Sequence, residues 1–246
     1  MTTLADLRVQ IFADGADLDT IKTLGARPWI RGFTTNPSLM RKAGVADYRR
    51  FAEEVLRAVP DRPVSFEVLA DDFAGMEYQA REIASWGSNV DVKIPVTNTR
   101  REPAGPMIQR LSQDGVPVNV TAVFTLEQVE TITASLAPDT RAIVSVFAGR
   151  IADTGVDPVP MMREALRILQ ARPRARLLWA SPRELLNLVQ ASDIGCHIIT
   201  VTSDILAKLP LLGKDHDDYS AETVEMFQRD VVTAGYTIPR GCPVAA

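Results

Sequence analysis

Cysteine and histidine are scarce, with two of each in 246 residues. Cys196 and Cys242 cannot build a disulfide framework, and with only His197 and His216 beside them the ligand set for a structural zinc is thin. Neither a disulfide-stapled scaffold nor a metal centre is expected. Long apolar runs are also missing: none approaches the roughly 18 residues of a spanning helix. The opening MTTLADLRVQIF lacks the basic-then-apolar pattern of a secretion signal, so a cytoplasmic protein with no membrane partner is expected. There is no excess of positive charge, because 27 Lys and Arg face 31 Asp and Glu for a formal charge of -4. A global field for a nucleic-acid backbone is therefore absent, and an anionic ligand has to be gripped locally. The chain also contains no GxxxxGK[ST] phosphate loop, no GxGxxG dinucleotide turn and no GxSxG nucleophile elbow.

What is present is apolar material, 46% of the residues, enough for a sizeable core. With no repeat, low-complexity tract or composition break to divide the chain, one domain over residues 1–246 is expected. Short apolar runs begin at Val9, Ile30, Val64, Val90, Val116, Ala142, Leu177 and His197. Between most of them lie segments with helical spacing, such as YRRFAEEVLRAV, GMEYQAREIASW, TLEQVETITASL, PMMREALRILQA and PRELLNLVQAS. Strand followed by helix, eight times, predicts an α/β fold, a single (β/α)8 TIM barrel of the usual size. The connection after the fourth strand, TNTRREPAGP, fits this pattern least well. One extra amphipathic helix is expected near residues 220–235, preceded by the acidic KDHDDYS read as a solvated loop.

Alternate residues of a barrel strand face the interior. In VSFEVL the apolar Val64, Phe66 and Val68 leave Ser65 and Glu67 on the other face. Asp91 and Lys93, Asn119 and Thr121, and Ser145 take the same inward parity in their strands, and Phe147 follows Ser145 on its face. Most of these polar groups fall late in their strands, toward the carboxyl ends where barrel enzymes place their active sites. Asp14, Thr34, Asn36 and Ser181 extend the ring, although Asn36 and Ser181 taken singly are equally readable as helix caps or loop residues.

Lys93 is an isolated lysine in an apolar strand, so it either pairs with a buried acid, for which Asp91 is the obvious partner, or it reacts. A lysine amine removed from water yields its proton more readily, and the neutral amine attacks carbonyls to form a Schiff base. Breaking a carbon–carbon bond in a ketose imine then needs a base, for which Asp14 is a candidate. Glu67 and Thr121, on the flanking strands, suit the proton transfers and the water. Cys196 and His197 are adjacent and so point to opposite faces, which argues for core or strand-start roles.

FADGAD around Asp14, GFTTNPSL, VKIPVT around Lys93, VTAVF around Thr121 and SVFAGRI together resemble the transaldolase family, including its short-chain branch and the related fructose-6-phosphate aldolases. The resemblance implies a cofactor-free, metal-free class I mechanism with Lys93 as the imine-forming residue, Asp14 as acid/base, and Glu67 and Thr121 on the catalytic water. It implies that Asn36 and Ser145 hold hydroxyls of a dihydroxyacetone unit, with Thr34 supporting the pocket and Phe147 lining it. Arg150 would clamp a substrate phosphate, and Ser181 and Arg183 would add contacts. ASPRELLN departs from the family pattern at Pro182, which is positioned to start a helix and turn Arg183 outward. Glu67 and Phe147 match the transferase side of the family, where the aldolase branch tends to carry glutamine and tyrosine. The partners implied are small-molecule sugar phosphates and further copies of the chain. The alternatives are an aldolase releasing free dihydroxyacetone and a sugar-phosphate-binding barrel without turnover.

Overall fold

The computed structural model describes residues 3–238. Its elements run β1 (Gln10–Asp14), α1 (Leu18–Gly25), β2 (Ile30–Thr34), α2 (Pro37–Lys42), α3 (Tyr48–Ala58), β3 (Val64–Glu67), α4 (Phe73–Ala84), β4 (Val90–Pro95), α5 (Gly105–Gln113) and β5 (Val118–Val123). They continue with α6 (Leu126–Ser135), β6 (Ala142–Val146), α7 (Ala148–Ala152), α8 (Pro158–Leu169), β7 (Ala175–Trp179), α9 (Leu186–Asp193), β8 (Ile198–Thr202), α10 (Ser203–Leu206) and α11 (His216–Ala234). The strands pair in parallel in chain order and β8 closes on β1, giving the eight-stranded barrel that the alternating pattern predicts.

Closure sorts the apolar residues into two populations. Val64, Phe66, Val92, Val118, Val120, Val144, Leu177 and Ile199 face outward and are buried under the helices. There they meet residues such as Phe51, Ala52 and Val55 of α3, which lie on one helical face. Each large side chain so buried stabilises the fold by roughly 1.5–3 kcal/mol. A second cluster of Phe12, Ile143, Leu178, Ala180 and Ile198 fills the barrel interior. Phe12 fits because β2 carries glycine opposite it: a Cβ on Gly32 would lie 2.6 Å from the phenyl ring. Below this layer, near the amino ends of the strands, Asp91 accepts a hydrogen bond of 2.9 Å from Arg141 Nε, and Arg141 also donates to the Ser88 and Val90 carbonyls.

Several helix starts follow from side-chain caps. Asp17, Asp47, Asp72 and Thr125 each accept a hydrogen bond from a backbone N–H in the first turn of the helix that follows. Asp215 does the same for Asp217 and Asp218. This corrects the expected start of the last helix. KDHDDYS is largely helix rather than loop, because acidic side chains at a helix amino end satisfy orphan N–H groups and complement the helix dipole. PRELLN is corrected in the opposite sense. Pro182 starts no helix; the Asn187 side chain accepts hydrogen bonds from the Arg183 and Glu184 N–H groups, and α9 begins only at Leu186.

Cys196 is buried, and burial pushes its thiol up to about 12. His197 Nδ1 accepts a hydrogen bond of 3.0 Å from Leu177 N, so both residues serve the start of β8. Cys242 lies outside the described residues. Among the described residues no helix is long and apolar enough to cross a membrane, and no group of three or more His, Cys, Asp or Glu is placed to hold a metal ion.

The loops after β6 and β7 are locked together at one point. Gly149 N donates to the Ala180 carbonyl at 3.2 Å, and a Cβ on Gly149 would lie only 1.5 Å from the Ser181 carbonyl oxygen. Gly149→Ala is therefore expected to cost about 1–3 kcal/mol of unfolding free energy, the range for forcing atoms into a filled space. Gly15→Ala, where the added Cβ would meet nothing within 4 Å, is expected to stay within about 0.5 kcal/mol. Urea unfolding of both variants is the check, and equal midpoints would show that the two loops separate freely.

Candidate active site

Asp14, Glu67 and Thr34 are the last residues of β1, β3 and β2, and Lys93 and Thr121 lie late in β4 and β5. Parallel pairing sets Asp14 beside Thr34, Glu67 beside Lys93 and Thr121 beside Pro95, so side chains distant in sequence converge at the carboxyl end of the barrel. They open into a cavity of about 610 Å³. All four residues read as catalytic line this cavity, together with Thr34, Asn36, Ser145, Phe147, Arg150, Ser181 and Arg183.

Lys93 is buried. Its Nζ donates to the Thr35 carbonyl at 3.0 Å and lies 3.1 Å from Glu67 Oε2. Of the two readings of Lys93 this removes pairing with Asp91: although Asp91 shares the inward face, it sits nearer the amino end of the strand and is hydrogen-bonded to Arg141. Glu67 is held in turn through its backbone, whose carbonyl accepts a hydrogen bond of 2.9 Å from the Tyr48 hydroxyl.

Asp14 accepts a hydrogen bond of 2.7 Å from Thr34 Oγ1, which lies 2.5 Å from Thr200 Oγ1. Burial raises the Asp14 carboxyl above its ordinary range, against the opposing pull of the Lys93 charge and the Thr34 hydroxyl. Ser145 Oγ donates to Asn119 Oδ1 at 2.6 Å and Asn119 Nδ2 donates to Ser65 Oγ at 2.9 Å, a buried chain that runs from the cavity lining into the barrel interior. Thr121 Oγ1 is buried and has no hydrogen-bond partner among the described residues. The next residue, Ala122, has φ 58° at the point where the β5–β6 register shifts, a strained conformation for a residue with a Cβ.

The cavity mouth carries the cations. Arg150, on α7, lies with its guanidinium 5.1 Å from the Phe147 ring centroid. Arg183 places its guanidinium across the Asp153 carboxylate, with Nε 2.9 Å from Oδ1. Pro182 thus leaves Arg183 at the rim of the cavity, where its side chain meets a neighbouring acid. Asn36 caps α2 by accepting a hydrogen bond of 3.0 Å from Leu39 N while it lines the cavity, so its cap and site readings hold together. Ser181 adopts φ 57°.

Sequence reasoning missed Thr200, Thr202 and Asp204, which also line the cavity. The signal was available, since Thr200 and Thr202 carry the inward parity in IITVT. The Thr35 carbonyl at Lys93 left no such signal, because a backbone acceptor has no residue-type signature.

A family model described as "Transaldolase/Fructose-6-phosphate aldolase" matches residues 11–238. A probable transaldolase of Dehalococcoides mccartyi is 35% identical over 202 residues, covering 82% of this chain and 90% of the relative. A probable transaldolase of Roseiflexus sp. is 38% identical over 200 residues, covering 80% and 88%. One from Methanococcus maripaludis is 34% identical over 203 residues, covering 82% and 89%. Among solved structures, KGPDC from Streptococcus mutans superposes with a TM-score of 0.55 at 10% identity, covering 81% of this chain and 89% of that one, a likeness of fold alone.

A raised carboxyl means that ionisation of Asp14 is disfavoured in the folded chain. Stability is intact below the ordinary carboxylate range, where both states are protonated, and falls as pH climbs through the raised value. Asp14→Asn removes that loss and is expected to melt above the parent at pH 8, with the gap closing toward pH 4. Each 1 kcal/mol relieved reads as about 2–4 °C in a chain of this size. A gap independent of pH, or one of opposite sign, would show that the carboxylate is stabilised where it stands.

Proposed function

The chain belongs to the transaldolase/fructose-6-phosphate aldolase family, and on that premise we propose that it transfers a dihydroxyacetone unit between sugar phosphates through a Schiff base on Lys93. The donor is fructose 6-phosphate or sedoheptulose 7-phosphate and the acceptor is an aldose phosphate. The observation that carries this reading is the buried lysine 3.1 Å from a carboxylate, at the floor of a cavity whose mouth holds two arginines.

The Lys93 amine, its proton passed to the adjacent Glu67 carboxylate, attacks the ketose carbonyl carbon, and loss of water from the carbinolamine forms the imine. Asp14 takes the proton of the C4 hydroxyl, the C3–C4 bond breaks, and its electron pair moves into the iminium to leave an enamine. The aldehyde product departs, and the enamine carbon attacks the acceptor aldehyde while Asp14 returns the proton. Hydrolysis of the new imine frees the product. Burial of Asp14 supports this role, because a carboxyl raised from its usual range exchanges its proton nearer neutral pH. The unpartnered Thr121 hydroxyl, buried in the cavity wall, supports a place for the water added and expelled at the imine. Asn36 and Ser145 hold the dihydroxyacetone hydroxyls, Thr34 orients Asp14, and Phe147 forms an apolar wall under Arg150. Arg150, with Ser181 and Arg183, binds the phosphate.

The active protein is a homo-oligomer. None of the 19 residues of α11 is buried, and Val224, Phe227 and Val231 put exposed apolar side chains at helical spacing along it. Light scattering is expected to give a mass above the 27.0 kDa protomer, reduced by Phe227→Asp; a monomeric parent would remove this part of the reading.

The chemistry is tested by a coupled assay of fructose 6-phosphate with and without erythrose 4-phosphate. Turnover is expected to depend on the acceptor, borohydride with donor is expected to add mass at Lys93, and Lys93→Met is expected to stay folded while losing the adduct and more than about 10³-fold of the rate. An adduct mapping to Lys22, Lys42, Lys208 or Lys214 would overturn the assignment. Abundant free dihydroxyacetone without acceptor would make the protein an aldolase.

A further inference from the structure

The two arginines at the mouth are held differently. Arg150 lies against the neutral face of Phe147, which leaves its charge to an incoming anion. Arg183 is already matched, through both Nε and a terminal nitrogen, to the two oxygens of Asp153. Asp153 itself is not part of the cavity lining. It stands three residues after Arg150, as the residue capping α7, and the Arg183 guanidinium, with a contribution from Arg150, holds its carboxyl below the usual range.

This pairing is prepared by the backbone on both sides. The close approach of Gly149 to the Ala180 and Ser181 carbonyls fixes α7 against the loop after β7. On the other side, nearly buried Asn187 accepts from Arg183 N at 2.7 Å and Glu184 N at 3.2 Å, which fixes the base of the arginine side chain. The anchored parts are main chain; the charged heads are about half exposed, 47% and 49%. An exposed ion pair is weak, whereas a phosphate dianion offers the same fork more charge and more acceptor oxygens.

We propose that Asp153 sets how strongly this site binds phosphate, by holding the Arg183 guanidinium with a carboxylate that an incoming substrate phosphate has to displace. Asp153 is a specificity-determining residue in this arrangement. It lowers the affinity for phosphorylated ligands and leaves the chemistry at Lys93 untouched. The ligand class is a phosphate monoester, for which inorganic phosphate is the simplest anionic stand-in. The inference rests on the reading of the mouth arginines as phosphate ligands, and it does not require that the bound sugar be turned over.

Asp153→Asn keeps the shape and removes the charge. Calorimetric titration of the full chain with inorganic phosphate is expected to show a two- to five-fold lower Kd in this variant, the size that the coupling of an exposed ion pair allows. KM for fructose 6-phosphate is expected to fall by the same factor at unchanged kcat, while adduct formation with unphosphorylated dihydroxyacetone stays as in the parent. Asp153→Glu is expected to restore most of the parent affinity, and adding Arg183→Gln to Asp153→Asn is expected to abolish the gain. An unchanged phosphate Kd in Asp153→Asn overturns the proposal. So does a gain that survives Arg183→Gln, because it would reflect only one fewer negative charge near the mouth. Phosphate titrations that behave as expected in a protein with no transfer activity would uphold the role of Asp153 and reject the transaldolase reading.

Discussion

Closing a parallel sheet on itself gives each strand one face toward helices and one toward a narrow interior, and every other feature of this molecule is subordinate to that division. The outward face is simple to satisfy, since valine, isoleucine and phenylalanine can all be buried under amphipathic helices. The inward face is constrained by volume and by the shortage of water. At the lower levels it is filled by Phe12, Ile143, Leu178 and Ile198, with Gly32 making room for the Phe12 ring, and by the Arg141-linked Asp91 beneath them. Only toward the carboxyl ends does the interior open enough for Asp14, Glu67, Lys93 and Thr121 to face a cavity. Strand order and pairing, more than any motif, bring them to one end of the barrel.

That division explains which parts of the molecule were readable from residues alone. Period-two alternation survives inside the strands, so the eight runs, the barrel and the inward set that includes Glu67, Lys93 and Thr121 are legible in the sequence. Boundaries set by side-chain caps were harder. The start of α11 depends on Asp215 accepting from two N–H groups, and the late start of α9 depends on Asn187 reaching back to Arg183 and Glu184. In both places the composition suggested a different boundary, and a specific hydrogen bond decided it.

The site was less readable than the barrel because partners depend on level as well as face. Asp91 and Lys93 are two apart and share parity, which makes them look paired, yet one residue pair along a tilted strand is enough to put Asp91 with Arg141 and Lys93 with Glu67. Thr200 obeyed the same parity rule and was overlooked because its strand carries no charged residue to draw notice. Neither the Thr35 carbonyl beside Lys93 nor Asp153 beside Arg183 was visible at all. One is backbone, and the other joins residues 30 positions apart through two loops whose approach depends on a missing Cβ at Gly149.

The energetic consequence is that the two buried acids of the barrel are partnered differently. At the amino end the buried acid Asp91 has an arginine hydrogen-bonded to it, and Arg141 is in turn used up by backbone carbonyls. At the carboxyl end Asp14 has one hydroxyl neighbour and the more distant Lys93 charge, Thr121 has an unused hydroxyl, and Ala122 carries a strained backbone. Groups left short of partners in a folded chain cost stability. Gathered around a lysine held between a carboxylate and a carbonyl, they suit a polar ligand. A ligand carrying several hydroxyls and a phosphate would supply missing partners along the depth of the cavity, from the Thr121 hydroxyl in its wall to Arg150 at the rim. Binding and local satisfaction of the barrel's upper layer are then the same event.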